Sequence, residues 1–137
     1  MKDQNRHWWL YVLKLENDKW YVGITSKTPE IRMHEHINGI RVAYWTAKYK
    51  PTELALEEDL GQVSKNQAEK YENKITRQLM RQHGLNNVRG GDLTSTEEYI
   101  VFFGYIYMKA QSQLILVLIF MLFTILYLLV DKLLFRR

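Results

Sequence analysis

The chain has 137 residues, a formal net charge of +4, a pI of about 9.2 and no cysteine. This length accommodates one domain plus an appendage and excludes a two-domain enzyme, while the lack of cysteine excludes disulfides, thiolate metal sites and cysteine nucleophiles. Residues 1–98 carry 15 basic and 14 acidic side chains, whereas residues 99–137 carry four and one. The basic pI therefore largely reflects the C-terminal part, and we expect any phosphate binding by the front of the chain to be local.

The first two periodic segments predict a β-hairpin. Residues 8–15 and 20–25 are rich in β-prone side chains and are separated by four turn-forming residues. Tyr11 and Tyr21 lie on the two predicted strands. Gly23, inside the second strand, indicates that another group approaches the backbone closely there. Two tyrosines on neighbouring strands also fit an ordinary packed cross-strand pair, so this pattern alone leaves their role open.

A helix is predicted next, with Thr28 as its N-cap, Pro29 at its first position and its end at Asn38-Gly39. Arg32 and His36 are four residues apart and therefore share one face of this helix. A charged guanidinium beside a titratable imidazole suits the binding and hydrolysis of a phosphodiester. A solvated amphipathic surface is the alternative interpretation of the same spacing.

The middle of the chain predicts an irregular or short helical segment over residues 39–51 and a half-buried strand over residues 52–58. The clearest helix then runs from Ser64, which forms a predicted capping box with Gln67, to Gly84. Its apolar stripe is expected to consist of Ala68, Tyr71, Ile75 and Leu79.

Glu72 borders that apolar stripe and is expected to point partly inward. A carboxylate partly withdrawn from water suits a hard divalent cation such as Mg²⁺, although a Glu beside lysines is ordinarily only helix surface. After this helix, residues 86–91 have the composition of a turn.

The C-terminal part predicts a membrane anchor. Residues 95–113 are expected to form an amphipathic or interfacial connecting helix that begins at Ser95. Residues 114–130 are apolar except for Thr124 and Tyr127 and are long enough to span a bilayer with a few flanking residues. A buried core helix is the alternative, but a domain of this size cannot surround a helix that is apolar on every side.

Residues 131–137 form a predicted short basic tail. Its positive charges favour a cytoplasmic C-terminus and an external N-terminal domain. Nothing in the first residues resembles an export signal, and a tail this short is easily translocated. We therefore expect a single-pass membrane protein whose N-terminal domain is cytoplasmic.

The order and spacing of these motifs resemble the GIY-YIG endonuclease superfamily over roughly residues 8–92. The resemblance rests on Tyr11-Val12-Leu13, Tyr21-Val22-Gly23-Ile24-Thr25, Arg32-x3-His36 and Glu72. The first triplet departs from the name-giving motif, because Leu-Tyr-Val stands where the family has Gly-Ile-Tyr. The resemblance implies an α/β (α+β) domain over residues 1–94, with a small three-stranded antiparallel sheet flanked by helices.

The resemblance also implies roles for five residues in a metal-dependent DNA endonuclease. Tyr11 is the expected general base, Tyr21 orients the attacking water or Tyr11, and Arg32 holds the scissile phosphate. His36 assists deprotonation, and Glu72 is expected to bind one Mg²⁺ or Mn²⁺. A module of the same fold that binds nucleic acid or acts as a scaffold at the membrane without cutting is the alternative.

DNA is the expected partner, together with the lipid bilayer. The predicted DNA contacts come from a basic-aromatic stretch and from the segment that resembles the close of the family module: Arg41, Trp45, Lys48, Lys50, Asn87 and Arg89. Either Asn86 or Asn87 fits the family's late asparagine position. For residues 41–50, a packed aromatic core with solvated lysines is an equal alternative to DNA contact. Because the excess of positive charge is small, we expect the membrane or a partner protein to supply specificity; the sequence leaves the oligomeric state open.

Overall fold

The predicted hairpin forms the centre of a mixed α/β unit. The computed structural model describes residues 4–102 and 104–134 and divides into two units between residues 96 and 97. The hairpin strands β1 (Arg6–Leu15) and β2 (Trp20–Thr25) are joined by a short 3₁₀ turn. The rest of this unit consists of α1 (Pro29–Ile37), α2 (Tyr44–Lys48), β3 (Pro51–Val63), α3 (Lys65–His83) and β4 (Val88–Gly90).

The sheet has four strands in the order β3-β1-β2-β4, so the prediction of a three-stranded antiparallel sheet is wrong. The added strand, β4, pairs in parallel with β2 over three residues, with Val22 opposite Gly90. A strand this short shows no alternation, and its glycines predicted a turn instead. A Cβ at Gly90 would lie 2.6 Å from the Val22 carbonyl oxygen, so glycine permits the close approach of these two strands.

The edge strand β3 is longer than the predicted segment of residues 52–58 and extends to Val63. Its pairing with β1 contains three register shifts. Each shift interrupts the two-residue alternation of side chains. The alternation of apolar and polar residues therefore predicted only part of the strand.

The hydrophobic core on one face of the sheet contains Tyr11, Leu13 and Leu15 of β1 together with Trp45 of α2. Met33 of α1 packs against this cluster. Because neighbouring strand residues point to opposite faces, Leu10 and Val12, which are also buried, lie on the other face. Tyr11 therefore belongs to the side of the sheet that α1 and α2 cover.

Helix α3 begins with the predicted capping box, in which the Ser64 hydroxyl accepts a hydrogen bond from the Gln67 N–H and the Gln67 side chain bonds back to Ser64. Its buried stripe differs from the predicted one and consists of Ala68, Glu72, Thr76 and Met80. Apolar periodicity could not identify this stripe because two of its four members are polar. Glu72 therefore lies on the buried face of the helix itself.

The second unit contains a hairpin of β5 (Tyr99–Phe102) and β6 (Tyr105–Met108), followed by α4 (Lys109–Leu134). The predicted connecting helix over residues 95–113 is therefore wrong, because β-branched and aromatic residues flank a turn at Gly104, whose φ is +79°. Helix α4 contains the predicted span of residues 114–130 and is long and apolar enough to cross a membrane. Of the predicted tail, residues 131–134 belong to α4, and residues 135–137 lie outside the described residues.

Replacement of Ser64 by alanine is expected to lower the free energy of unfolding by about 1 kcal/mol, because it removes a side-chain cap. Thr28 is a matched control, since it occupies the N-cap position of α1 but makes no capping hydrogen bond through its side chain. Thr28→Ala should therefore change stability by less than about 0.5 kcal/mol. Urea unfolding of the full chain in detergent measures both effects, and equal losses in the two variants would contradict the assignment of the caps.

Candidate active site

The Tyr11 phenol lies across the centre of the hairpin. Tyr11 is opposite Gly23 in the pairing of β1 with β2, and its side chain is almost fully buried. A Cβ added to Gly23 would lie 2.4 Å from the phenol oxygen. The close approach predicted at Gly23 is therefore made by the Tyr11 side chain, which only a residue without a Cβ accommodates.

His36 comes from the last turn of α1 and is fully buried beside the two tyrosines. Its Nε2 atom lies 2.9 Å from the Tyr11 hydroxyl. The ring centroids of Tyr11 and Tyr21 are 6.3 Å apart, and the His36 ring lies 5.9 Å from Tyr11 and 5.3 Å from Tyr21. These three rings form one cluster although they are separated by up to 25 positions in the sequence.

Arg32 is held one helical turn before His36. Its guanidinium donates hydrogen bonds to the Glu35 carboxylate at 3.0 Å and to the carbonyl oxygens of Ile40 and Arg41 at 3.4 and 2.8 Å. Lys27 also donates to Glu35. Arg32 also hydrogen-bonds the Tyr11 side chain. A guanidinium has five N–H donors in a planar fork, so these bonds fix its plane and leave one donor for a phosphate oxygen.

Glu72 lines a cleft of about 290 Å³ together with Glu69, Asn73, Gly91 and Asp92. Only 8% of Glu72 is exposed. The cleft is shaped by Asn73, whose side-chain oxygen accepts a hydrogen bond from the Asp92 N–H at 2.8 Å. Three of the five lining residues are carboxylic acids and one is an amide, so oxygen atoms predominate among the possible metal ligands.

The negative charge of Glu72 raises the pKa of both Tyr11 and Tyr21. Burial raises the pKa of Tyr11 well above its usual range, the neighbouring Tyr21 phenol and the Glu72 carboxylate add to this shift, and the charge and hydrogen bond of Arg32 oppose it. Burial also raises the pKa of Tyr21 to about 12, with a second contribution from Glu72 and an opposing one from Arg32. Both phenols are therefore neutral at pH 7, and the positive charge of Arg32 is the contribution that favours a phenolate.

Burial raises the pKa of Glu72 to about 7, although a hydrogen bond from the Gly91 N–H lowers it; Glu69 and Asp92 add negative charge. Burial, together with the charge of Arg32, lowers the pKa of His36 to about 4, although Glu35 opposes this shift. At pH 7 the His36 imidazole is therefore neutral, and Glu72 is divided between its two protonation states. A neutral imidazole has one lone pair able to take a proton.

The described ranges 4–102 and 104–134 contain no group of three or more His, Asp or Glu side chains placed to hold a metal ion. Any cation at Glu72 would therefore need water molecules to complete its coordination, as Mg²⁺ often has.

Two of the residues predicted to contact DNA are buried, so this part of the prediction is wrong. Trp45 belongs to the core cluster, and its indole N–H donates to the Trp20 carbonyl oxygen at 3.2 Å. The Arg89 guanidinium lies 4.4 Å from the Trp45 ring and donates to the backbone oxygens of Val88 and Ser95 at 2.8 and 2.6 Å. Neither side chain can reach a base or a phosphate, and both stabilise the packing around β4.

Of the four other predicted contacts, Asn87 makes hydrogen bonds within the fold, and the remaining three are exposed cations. Asn87 is half-buried, accepts a hydrogen bond from Lys19 at 2.6 Å and donates to the His83 carbonyl oxygen at 2.8 Å. It therefore connects the end of α3 to the start of β2. Arg41, Lys48 and Lys50 are exposed and remain predicted DNA contacts.

Sequence reasoning did not assign a role to Thr46. Thr46 is fully buried in α2, and its Oγ1 lies 2.9 Å from His36 Nδ1. Glu35, which bonds both Arg32 and Lys27, was also missed. The acidic residue three positions after Arg32 was a signal for that ion pair, whereas no local pattern marks Thr46 as a partner of a residue ten positions earlier.

A family model for the GIY-YIG catalytic domain matches residues 7–86. Because the match covers more than half of the chain, the protein belongs to the GIY-YIG family. Membership implies a nuclease-type phosphodiester hydrolase with nucleic acid as its substrate. Comparisons with curated proteins and with solved structures gave no match.

The titration of His36 tests the geometry of this site. Its NMR titration midpoint is expected near pH 4 in the full chain in detergent, because burial and Arg32 both disfavour the imidazolium. Arg32→Gln removes the positive charge and should raise the midpoint, whereas Arg32→Lys retains a charge and should shift it less. A midpoint near 6.5 in the parent protein would contradict the buried placement of His36.

Proposed function

We propose that the protein is a membrane-anchored, metal-dependent endonuclease that hydrolyses DNA phosphodiester bonds. The observation that carries this proposal is the 2.9 Å contact between the Tyr11 hydroxyl and His36 Nε2, beside the Arg32 guanidinium that hydrogen-bonds Tyr11. A buried phenol is a poor base unless its proton has an acceptor. His36 is an acceptor within hydrogen-bond reach, and family membership supports hydrolysis as the reaction.

The proton path begins at the water that attacks phosphorus. As the water loses a proton to the Tyr11 oxygen, the phenol gives its own proton to His36 Nε2. Tyr21 lies beside both rings and orients the water or the Tyr11 phenol. The water oxygen forms the new bond to phosphorus, the opposite P–O bond breaks, and the leaving oxygen departs with its electron pair. The proton ends on His36 as an imidazolium, so no phenolate has to persist.

Arg32 binds the scissile phosphate through its guanidinium. This contact also affects the pKa of His36, which the charge of Arg32 lowers in the free protein. Pairing with an anionic phosphate compensates that charge and makes His36 more basic. Substrate binding therefore makes His36 a better proton acceptor.

The residues around Glu72 fit a hard divalent cation such as Mg²⁺ or Mn²⁺. The fit rests on the raised pKa of this buried carboxyl, since a nearby cation would offset the cost of its ionisation, and on the oxygen donors of the cleft. Glu72 would hold the ion directly, with Glu69 and Asp92 contributing negative charge. When bound, the cation stabilises the charge that develops on the leaving oxygen.

The proposed DNA surface consists of Arg41, Lys48 and Lys50, which are exposed on the segment between α1 and β3. These cations support contacts to the phosphate backbone, which carry little sequence information. Three exposed cations give weak binding, so we propose that the membrane or a partner protein concentrates the enzyme on its substrate.

Helix α4 is the proposed membrane anchor. Its 26 residues have a mean hydropathy of 2.8 in the most apolar window, and none of that window is buried. Placing it in a bilayer would remove this apolar surface from water. The proposed orientation keeps the nuclease domain on the cytoplasmic side, where cellular DNA is accessible.

A nucleic-acid-binding module that does not cut is the second candidate. Two observations favour it: the pKa of Tyr11 is raised far above neutrality, and three donors of Arg32 already bond Glu35, Ile40 and Arg41. Such a module would retain the family fold and bind DNA through its exposed cations.

Nicking of supercoiled plasmid by the full chain in detergent separates the two candidates. With Mg²⁺ or Mn²⁺ the parent should nick, and EDTA should stop it. Tyr11→Phe, Arg32→Ala and Glu72→Gln should each reduce the rate by about 100-fold or more, because each removes a group that acts in the transition state.

Matched controls distinguish loss of chemistry from loss of fold. Tyr44→Phe alters an exposed tyrosine, and Arg81→Ala alters an exposed arginine on α3, so both should retain near-parental rates. Equal activity in all variants would indicate a contaminating nuclease. A parent that binds plasmid without nicking it at any metal concentration would favour the non-cutting module.

A further inference from the structure

The His36 imidazole is bonded at both nitrogens. Nε2 lies 2.9 Å from the Tyr11 hydroxyl, and Nδ1 lies 2.9 Å from Thr46 Oγ1. His36 and Thr46 are fully buried, and Tyr11 nearly so. A neutral imidazole donates through one nitrogen and accepts through the other, so the partners of the ring decide which nitrogen holds the hydrogen.

The Thr46 hydroxyl resolves this choice. Its oxygen lies 3.0 Å from the Ala43 carbonyl oxygen. A carbonyl oxygen can only accept, so this bond takes the single hydrogen of the hydroxyl. The hydroxyl oxygen can then only accept from His36, which requires the hydrogen on Nδ1. Nε2 consequently presents its lone pair to the Tyr11 hydroxyl, which is the donor in that bond.

The local fold fixes the direction of the Thr46 hydroxyl. Ala43 is the N-cap residue of α2, and Thr46 stands three positions later, where a threonine hydroxyl commonly bonds the preceding turn. The opposite tautomer of His36 would place the Nδ1 lone pair against the Thr46 oxygen. The hydroxyl could then donate to Nδ1 only by leaving the Ala43 carbonyl oxygen.

We propose that Thr46 is a positioning residue that holds neutral His36 in the Nδ1–H tautomer, so that Nε2 accepts the proton of Tyr11. The catalytic consequence rests on the proposed nuclease function. The tautomer is a property of the unliganded protein and can be measured without substrate. Thr46 itself touches neither water nor phosphate in this scheme, and it acts through His36.

Long-range ¹H–¹⁵N spectra of the full chain in detergent, labelled with ¹⁵N-histidine, report the tautomer directly. At pH 7 we expect His36 to show a protonated Nδ1 and an unprotonated Nε2. The chain has four histidines, and the signals lost in His36→Gln assign the His36 ring. A protonated Nε2 in the parent protein would overturn the proposal whatever the variants do.

Two substitutions separate positioning from packing. Thr46→Val keeps the shape but removes the acceptor, so the Nε2–H form should become detectable, and nicking should fall at least tenfold. Thr46→Ser keeps the hydroxyl and should restore the Nδ1–H pattern and most of the activity. An unchanged tautomer in folded Thr46→Val would overturn the proposal.

The role of Thr46 can be tested even if the protein is not a nuclease. A parent that does not nick DNA but shows the Nδ1–H pattern, lost in Thr46→Val and kept in Thr46→Ser, supports the role of Thr46 and refutes only the cutting function. If Thr46→Val does not fold, the parent and Thr46→Ser spectra still decide the tautomer.

Discussion

The contact between the Tyr11 phenol and His36 is the interaction on which the rest of the site depends. It exists because strand pairing places Tyr11 opposite a glycine, so the phenol can lie across β2 and reach the last turn of α1. A side chain at position 23 would occupy the place of the phenol oxygen. The hairpin and α1, which are local structures, thereby acquire a fixed relationship that neither has alone.

Around this contact the structure arranges charges in a way that suits an anionic substrate. Arg32 favours the phenolate and disfavours the imidazolium, and Glu72 has the opposite effect on both phenols. A bound phosphate would offset the positive charge of Arg32, and a bound cation would offset the negative charge of Glu72. Burial is the main reason that the phenols and the imidazole are neutral in the free protein, and in the proposed reaction a bound phosphate would make His36 the better proton acceptor. In the proposed reaction this coupling would give the substrate and a cation a physical reason to act together.

The sequence predicted the features that have strong local signals. The hairpin, α1 and the capping box of α3 follow from turn, cap and periodicity patterns, whereas the α/β class follows from the family resemblance. The fourth strand was missed because three residues carry no period, and the β5–β6 hairpin because aromatic residues spaced as on a helix face also suit a strand. Trp45 and Arg89 looked like nucleic-acid contacts because their residue types suit that role, but burial is set by tertiary packing, which residue type does not reveal. Thr46 was missed for the same reason.

Paramagnetic broadening by Mn²⁺ tests most directly whether the phenols and the carboxylate share one pocket. In the full chain in detergent, sub-stoichiometric Mn²⁺ should broaden the ring signals of Tyr11 and Tyr21 while sparing the exposed Tyr44, and Glu72→Gln should abolish the effect. Broadening that spares Tyr11 and Tyr21, or that persists undiminished in Glu72→Gln, would contradict the account.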